Sequence, residues 1–446
     1  MSDSEKRFLG RTRRVAEVGS SVASLALGAV GRRYLGVGTD LEQAAAKATA
    51  TLGGLKGPLM KVFQILATIP DVLPKEYSDA LRQLQSDAPS MGWPFVQRRM
   101  RGELGADWMQ KLPNFSRNAI HAASLGQVHK ATLSGGQDVA CKLQYPDMAS
   151  VVDADLKQLK VMLNVYMRTN PGISPANIYD ELVERLQEEL DYSRELKHLN
   201  LYRDMLSGES CVSVPEPFPE LSSERLLVME WLTGSSLMDI GDAPLEQRND
   251  LARAMFRTWY VPFYRYGIIH GDPHPGNYSA RENGGINLLD LGCIRVFPPQ
   301  FVRGVMELYY AMRDRDNDRA AYAYELWGFQ NLSNEVLEIL NVWANFLYAP
   351  LLEDKVQKIQ QSDSGQYGAG IAGGVYKRLK EHGSIVTPPR EFLLMDRAAI
   401  GLGAMFLRMR AEINWYEEFQ NLIEGFDHEV LAKNQAAILE KYELNF

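Results

Sequence analysis

The chain has 446 residues and a formal net charge of −8 at pH 7. This length exceeds what one hydrophobic core usually supports and predicts two or three domains, while 46% hydrophobic and 23% charged residues exclude global disorder. A dedicated nucleic-acid-binding protein would carry a basic domain, so we expect no nucleic acid among the partners.

The N-terminal segment, residues 1–40, contains the basic stretch of an otherwise acidic chain. Within residues 1–35, seven Lys or Arg residues and three acidic residues surround the apolar run from Val18 to Val30. That run is too short and too rich in Ser, Gly and Ala to cross a bilayer, which takes about 20 apolar residues. The alternatives are a solvated surface helix, an amphipathic segment attracted to anionic lipid, and a cleaved signal peptide. We therefore expect any membrane contact to be peripheral and to involve residues 1–35.

A helical prefix is predicted over residues 41–117. Helical patterns fill most of this range, and Pro70 and Pro74 interrupt them. Because proline is tolerated in the first turn of a helix but not in its interior, a new helix is predicted to begin near Lys75.

A β-hairpin is predicted at the start of an N-lobe that covers residues 118–233. Two β-type runs, residues 126–131 and 138–143, flank the turn Ser134-Gly-Gly. An acid-rich helical segment follows over residues 150–205, and then an apolar strand over 225–232.

The C-lobe is predicted to cover residues 234–446 and to be mainly helical. Its Gly- and Ser-rich stretch, residues 362–374, is interpreted as a mobile loop between helices. The apolar segment from Phe392 to Met409 contains Asp396, Arg397 and Arg408, so it is interpreted as a packed helix and not as a membrane span.

Two short acidic motifs carry the most specific chemical signal. His270-Gly-Asp272-Pro-His-Pro-Gly-Asn277 is followed, thirteen residues after Asn277, by Asp290-Leu-Gly292. The first places an Asp five positions before an Asn, as the kinase catalytic loop does, and the second is similar to the metal-binding Asp-Phe-Gly. Each alone is ordinary turn chemistry, but the combination predicts phosphoryl transfer with Mg²⁺, in which Asn277 and Asp290 bind the metal and Asp272 orients or deprotonates the attacking group.

Lys142 is the candidate phosphate-binding lysine. It ends the strand motif Val139-Ala-Cys-Lys142, which is similar to the kinase strand whose lysine contacts the α- and β-phosphates of ATP. A lone strand lysine is more often a surface charge, but its place after a turn and well before Asp272 favours the functional interpretation.

The loop that would cover the phosphates gives the chain a family resemblance. A kinase has glycines here, whereas this sequence has His121-Ala122-Ala123-Ser124. From about residue 50 to 430 the chain resembles the UbiB family of atypical protein-kinase-like proteins, whose mitochondrial and bacterial members support ubiquinone (coenzyme Q) biosynthesis. The resemblance maps the family's Ala-rich nucleotide loop onto residues 121–124, with His121 in place of the first Ala.

The same resemblance implies an acidic helix motif at Glu189-Leu-Asp191. Glu195 follows Asp191 by four residues, which would place the two on one face of a continuous helix. Either Glu195 or Glu189 could pair with Lys142, as the helix glutamate does in kinases; the sequence leaves this open.

A third family motif, Lys-x-Gly-Gln, falls on Lys61-Val-Phe63-Gln64, where Phe63 replaces the glycine. Lys61 and Gln64 would still share a helical face, so the resemblance implies a plug over the active site. The bulk of Phe63 puts that close approach in question, and the alternative is a pair of ordinary surface residues.

The strand over 225–232 is interpreted as the hinge that contacts adenine through Met229, Glu230, Trp231 and Leu232, with a plain core strand as the alternative. His274 is expected to shape the Asp272 loop rather than to bind metal. The cysteines, Cys141, Cys211 and Cys293, are odd in number and form no CxxC pair, which indicates a reducing compartment, and hence a cytoplasmic location.

These observations predict an α+β, bilobal protein-kinase-like fold with an N-terminal helical extension, and ATP and Mg²⁺ as cofactors bound between the lobes. The resemblance implies an ATPase or kinase linked to quinone lipids, with proteins or lipids of quinone biosynthesis as partners. The alternatives are a small-molecule kinase of the aminoglycoside or choline type, an ordinary protein kinase, which would carry a Gly-rich loop and an Ala-Pro-Glu motif, and a non-catalytic nucleotide-binding scaffold.

Overall fold

The computed structural model of the chain describes residues 90–122, 125–146, 148, 156, 183, 186–329, 332–360, 366–381 and 390–444. These residues belong to two compact units. The first unit comprises the chain up to Ser193 together with Phe218–Val228, and the second comprises Arg194–Pro217 and Met229–Phe446. The predictions for residues 1–40, for most of the prefix including Lys61 and Gln64, and for Ala123 and Ser124 lie outside the described residues.

In the part of the first unit that the structure describes, two helices precede a four-stranded sheet. Helix α1 begins with a proline in its first turn, where the missing N–H costs nothing. The strands are arranged in the order β1-β2-β3-β5. The bounds are α1 Trp93–Leu104, α2 Trp108–Lys111, β1 His121–Ala122, β2 Gly126–Thr132, β3 Asp138–Gln144 and β5 Leu226–Glu230, the last two residues of β5 belonging to the second unit.

The predicted β-hairpin is confirmed. Strands β2 and β3 are antiparallel, with Gly126 opposite Gln144 and Thr132 opposite Asp138. The turn between them is closed by a hydrogen bond from the Leu133 N–H to the Gln137 carbonyl oxygen, at 2.8 Å. The register matters for function because it decides which face of the sheet each β3 side chain occupies.

Alternation along β3 separates a core face from the face that carries Lys142. Val139, Cys141 and Leu143 are fully buried in a cluster with the apolar side chains of α1 and α2. Because successive strand residues point to opposite faces, Lys142 lies on the face away from that cluster. Complete burial of a Val or Leu side chain contributes about 1.5–3 kcal/mol to the stability of the fold. The buried residues of β3 therefore fix the position of the strand that carries Lys142.

The acid-rich helical segment is broken at Leu190 and Asp191, which the sequence did not predict. Residues 186–189 are helical, and a new helix, α3 (Tyr192–Met205), starts directly after Asp191. The Asp191 carboxylate accepts a hydrogen bond from the Ser193 N–H at 3.0 Å, which is the contact of a helix N-cap. The prediction that Asp191 and Glu195 share one face of a continuous helix is therefore wrong.

The second unit contains small sheets followed by helices. Strands β7 and β10 form one pair, and a second sheet has the order β4-β9-β8-β6. The strands and the first helix are β4 Val212–Ser213, β6 Ser235–Ser236, α4 Leu245–Tyr266, β7 Ile268–His270, β8 Tyr278–Ala280, β9 Ile286–Leu288 and β10 Ile294–Val296. The later helices are α5 Pro299–Asp314, α6 Asn317–Leu326, α7 Asn334–Leu352, α8 Gln366–Glu381, α9 Arg390–Met409, α10 Trp415–Ile423 and α11 His428–Lys441.

The loop prediction for residues 362–374 is wrong from residue 366 onwards, because α8 begins at Gln366. Each glycine lowers helix propensity by about 1 kcal/mol relative to alanine, which is why the sequence favoured a loop. Helix α8 contacts α7, and tertiary contact of this kind overrides a weak local preference.

Helix α9 confirms the packed helix predicted at Phe392 to Met409, since Ala398, Leu402, Met405 and Phe406 are buried. Among the residues that the structure describes, no helix combines the length and apolar character needed to cross a membrane.

Candidate functional site

Two strand pairings bring the two acidic motifs of the second unit together. Strand β7 pairs with β10, with His270 opposite Ile294, and β8 pairs with β9, with Tyr278 opposite Leu288. The loop after β7 carries Asp272 and Asn277, and the turn after β9 carries Asp290. The strands that flank one loop, β7 and β8, pair with the strands that flank the other, β10 and β9, so the two loops lie side by side.

Backbone hydrogen bonds tie the two loops to each other at both ends. The Gly271 N–H donates to the Cys293 carbonyl oxygen at 2.8 Å, and the Leu289 N–H donates to the Asn277 carbonyl oxygen at 2.8 Å. These bonds involve the immediate neighbours of Asp272 and Asp290. The two motifs, which are separated along the chain, therefore lie close together in the structure.

The Asp272 loop is held by its own backbone. The Asp272 carbonyl oxygen accepts from the His274 N–H at 2.8 Å and from Asn277 Nδ2 at 3.0 Å. His274 Nδ1 accepts from the Gly276 N–H at 3.1 Å, which is the loop-shaping contact expected of it. With Nδ2 directed at Asp272, the side-chain oxygen of Asn277 is the atom that could bind a metal, and the Asp272 side chain is exposed.

Glu195 lies beside the Asp290 turn. The Asp290 carboxylate accepts from the Gly292 N–H at 3.0 Å. A Cβ placed on Gly292 would be 3.2 Å from Asp290 Oδ1 and 3.9 Å from Glu195 Oε2. Glu195 is itself buried, at 3% exposure, so α3 presents a carboxylate at the edge of the turn. Whether Glu195 or Glu189 pairs with Lys142 stays open; Glu189 is half-buried in the helical residues before Asp191.

His198 is a neighbour of this turn that sequence reasoning missed. Its Nδ1 lies 2.8 Å from the Leu291 carbonyl oxygen, and its Nε2 accepts from Arg194 Nε at 3.5 Å. Burial lowers the pKa of His198 to about 3, so the ring is neutral. The available signal was its position three residues after Glu195, which places both on one helical face.

His270, the last residue before the Asp272 loop, is held by a chain of aromatic side chains. The Trp259 indole N–H donates to the Tyr278 hydroxyl oxygen at 2.9 Å. The same hydroxyl oxygen lies 3.1 Å from His270 Nδ1. Burial lowers the pKa of His270, and the negative charges of Asp272 and Asp290 act in the opposite direction. Burial also raises the pKa of Tyr278, so this chain of rings is uncharged at neutral pH.

In the first unit, Lys142 lies over an aromatic ring. Its Nζ is 5.1 Å from the centroid of the Tyr192 ring, within the range of a cation–π contact. Tyr192 opens α3, and its backbone N–H donates to the Glu224 carbonyl oxygen at 3.2 Å. Tyr192 is thus a neighbour of Lys142 that sequence reasoning missed.

Gly126 leaves the room that this ring occupies. A Cβ at Gly126 would be 2.5 Å from the Leu143 carbonyl oxygen and 2.7 Å from the Tyr192 hydroxyl oxygen. The first of these atoms belongs to the backbone of the neighbouring strand and has little freedom to move.

We expect Gly126→Ala to destabilise the protein by about 1–3 kcal/mol, the usual range for overpacking, and to weaken nucleotide binding through displacement of Tyr192 and Lys142. Gly135→Ala is the matched control, because no atom beyond its two chain neighbours lies within 4 Å of a Cβ at that turn position. Urea unfolding of both variants measures the difference. Equal stability of the two variants would contradict the close packing at Gly126.

The remaining predicted residues occupy three places. His121 is exposed and Ala122 is half-buried at β1. In the hinge segment Met229 is buried, Trp231 and Leu232 are half-buried, and the Glu230 N–H donates to the Glu216 carbonyl oxygen at 2.7 Å. Cys141 is fully buried and Cys293 is half-buried.

The donor set suits Mg²⁺ bound together with phosphate. Asp290 and Asn277 offer hard oxygen ligands, and Mg²⁺ is usually held by one or two carboxylates plus substrate phosphates, not by a cage of protein ligands. The residues present therefore fit the metal that the motifs predict.

Comparison with known proteins gives consistent matches. A model of the ABC1 atypical kinase-like domain matches residues 83–324. The chain is 27% identical over 375 residues to the atypical kinase COQ8, mitochondrial, of Saccharomyces cerevisiae, which covers 82% of this chain and 74% of that protein. It is 31% identical over 279 residues to the Arabidopsis thaliana protein ACTIVITY OF BC1 COMPLEX KINASE 8, chloroplastic, which covers 60% of this chain and 36% of that protein.

A solved structure resembles most of the chain. Rv3197 of Mycobacterium tuberculosis, determined in complex with erythromycin, is 26% identical, with a TM-score of 0.62, over 86% of this chain and 97% of that one. Together with the kinase-like domain match, this confirms the α+β protein-kinase-like fold predicted from the sequence.

Proposed function

Because the chain belongs to the ABC1 atypical kinase-like family, as its resemblance to the UbiB family predicted, we propose that it binds ATP with Mg²⁺ and acts as a phosphotransferase or ATPase. The observation that carries the proposal is the paired-strand geometry that places Asp272, Asn277 and Asp290 on adjoining loops. Phosphoryl transfer requires little more than positioning and charge stabilisation, and these side chains supply both.

Each residue has a proposed role. Asn277 and Asp290 hold the metal, which when bound neutralises charge developing on the phosphates. The exposed carboxylate of Asp272 orients the attacking hydroxyl or water, or accepts its proton. Lys142 contacts the α- and β-phosphates, the loop Ala122-Ala123-Ser124 covers them, and the segment from Met229 to Leu232 contacts adenine.

Quinone lipids or the proteins that make them are the proposed setting of this activity. Support comes from the family itself and from the relative named COQ8. Residues 1–35 are proposed to make peripheral contact with anionic membrane, in line with their basic charge. The regulatory plug at Lys61 and Gln64, with Glu189 and Asp191 as its partners, is likewise a proposal.

The test is ATP hydrolysis by the purified full chain, measured with and without quinone-like lipids and anionic liposomes, beside phosphate transfer to candidate acceptors. We expect Mg²⁺-dependent nucleotide binding in every condition and turnover that increases with lipid. Binding without turnover or transfer under any condition would favour a nucleotide-binding scaffold. Transfer to small-molecule acceptors alone would favour a small-molecule kinase.

A further inference from the structure

We propose that His198 is a positioning residue for the metal-binding turn: through its Nδ1 hydrogen bond to the Leu291 carbonyl oxygen, it fixes the turn that carries Asp290. The inference rests on the proposed function of that turn and goes beyond it, because it assigns the turn's orientation to a residue 93 positions away in the chain.

The hydrogen bonds of the ring define which atom performs this task. A carbonyl oxygen can only accept, so Nδ1, at 2.8 Å from the Leu291 oxygen, must carry the proton. Arg194 Nε can only donate, so Nε2, at 3.5 Å, must accept. The two contacts select one neutral tautomer, and His198 is only 1% exposed, so water does not compete readily for either atom.

The contact falls in the middle of the turn. Leu291 lies between Asp290, whose carboxylate accepts from the Gly292 N–H at 3.0 Å, and Gly292 itself. A hydrogen bond to the Leu291 carbonyl therefore restrains rotation of the peptide plane that joins Leu291 to Gly292. That plane carries the same Gly292 N–H that orients the Asp290 carboxylate.

Helix α3 delivers two groups to this turn. Glu195 Oε2 lies beside Gly292, and His198 lies three residues further on the same helical face. The opposite, C-terminal part of α3 is held by α11 and the residues after it, since Lys441 Nζ and the Tyr442 hydroxyl each lie 2.5 Å from Asp204 Oδ2. His198 therefore belongs to a helix that is fixed at a second point, as a positioning residue requires.

An Asn and Gln pair tests the atom directly. The amide nitrogen of Asn can take the place of Nδ1, whereas the longer Gln carries its amide near the position of Nε2. We expect His198→Asn to retain the wild-type Mg²⁺ dependence of ADP binding. His198→Gln and His198→Leu should raise the Mg²⁺ concentration for half-maximal binding by about 10-fold or more, the range for lost outer partners of metal ligands.

Leu201→Ala controls for lost packing on the same helix. Leu201 is fully buried in α3, so this variant should lower the melting temperature while its Mg²⁺ dependence stays that of the wild type. Hydrogen exchange of the metal-free, nucleotide-free protein gives a second readout. The Gly292 amide should exchange faster in His198→Gln and His198→Leu than in His198→Asn.

The outcomes separate the two proposals. Absence of Mg²⁺-dependent ADP binding in the wild type would overturn the proposed function and, with it, the role of His198. Wild-type binding with an unchanged Mg²⁺ requirement in the Gln and Leu variants would overturn the positioning role alone. Equal exchange rates of the Gly292 amide in the Asn and Gln variants would also overturn the positioning role. The same holds if Leu201→Ala shifts the Mg²⁺ dependence as much as His198→Leu does.

Discussion

Asp290→Asn is expected to abolish the Mg²⁺-dependent stabilisation of the protein by ADP without unfolding it. A ligand present at 100 times its dissociation constant stabilises a folded protein by about 2.7 kcal/mol, and most of that should disappear. The substitution removes the charged ligand of the proposed metal pair and leaves Asn277, a neutral amide. The turn should persist, because an Asn oxygen can still accept the bond from the Gly292 N–H.

The measurement is the melting temperature in Mg²⁺ and in EDTA, with and without ADP. In EDTA the variant should bind ADP at least as well as the wild type, because a negative charge near the phosphates has gone. Asp427→Asn is the matched control: Asp427 caps α11 through its carboxylate, and Asn caps helices equally well. Equal nucleotide shifts of the wild type in EDTA and in Mg²⁺ would contradict the metal role.

Asp272→Asn is expected to lower the rate of phosphate release or transfer by about 10²- to 10⁴-fold, the usual contribution of a general base. Binding of MgADP should stay near that of the wild type. The loop is built on the Asp272 carbonyl oxygen, which accepts from the His274 N–H and from Asn277 Nδ2, and the substitution leaves those bonds in place.

Single-turnover assays with saturating MgATP check this prediction, because they separate the chemical step from binding. The two variants should then differ in kind: the Asp290 variant loses metal-dependent binding, whereas the Asp272 variant keeps binding and has a strongly lowered single-turnover rate. An Asp272→Asn protein with the wild-type single-turnover rate would exclude Asp272 as the base or orienting group. Asp427→Asn again shows the effect of removing a carboxylate elsewhere in the second unit.

The sequence predicted the features that depend on short stretches of chain. The hairpin of β2 and β3 was readable because its turn residues and its alternating strands lie within about twenty positions of one another. The kinase-like fold was readable because the relevant motifs, at Asp272, Asn277 and Asp290, have fixed spacing along the chain. Local preference and local spacing were enough in both cases.

Two local predictions failed where distant residues outweighed propensity. The helix break at Asp191 depends on where α3 begins, and the Tyr192 N–H there bonds to Glu224, 32 positions later. Helix α8 forms through Gly-rich residues that by themselves favour a loop, and it contacts α7. In each case a tertiary contact contributed free energy that no window of neighbouring residues contains.

The sequence by itself determined the chemical groups of the candidate site: the carboxylates, the amide and the lysine, in the order that kinase-like motifs require. Only the tertiary structure decided what surrounds them. The ring of Tyr192 near Lys142, the space left by Gly126, and the bond from His198 to Leu291 each join residues from separate elements. Chain spacing cannot predict such contacts, because they follow from how strands pair and helices pack after the backbone has folded.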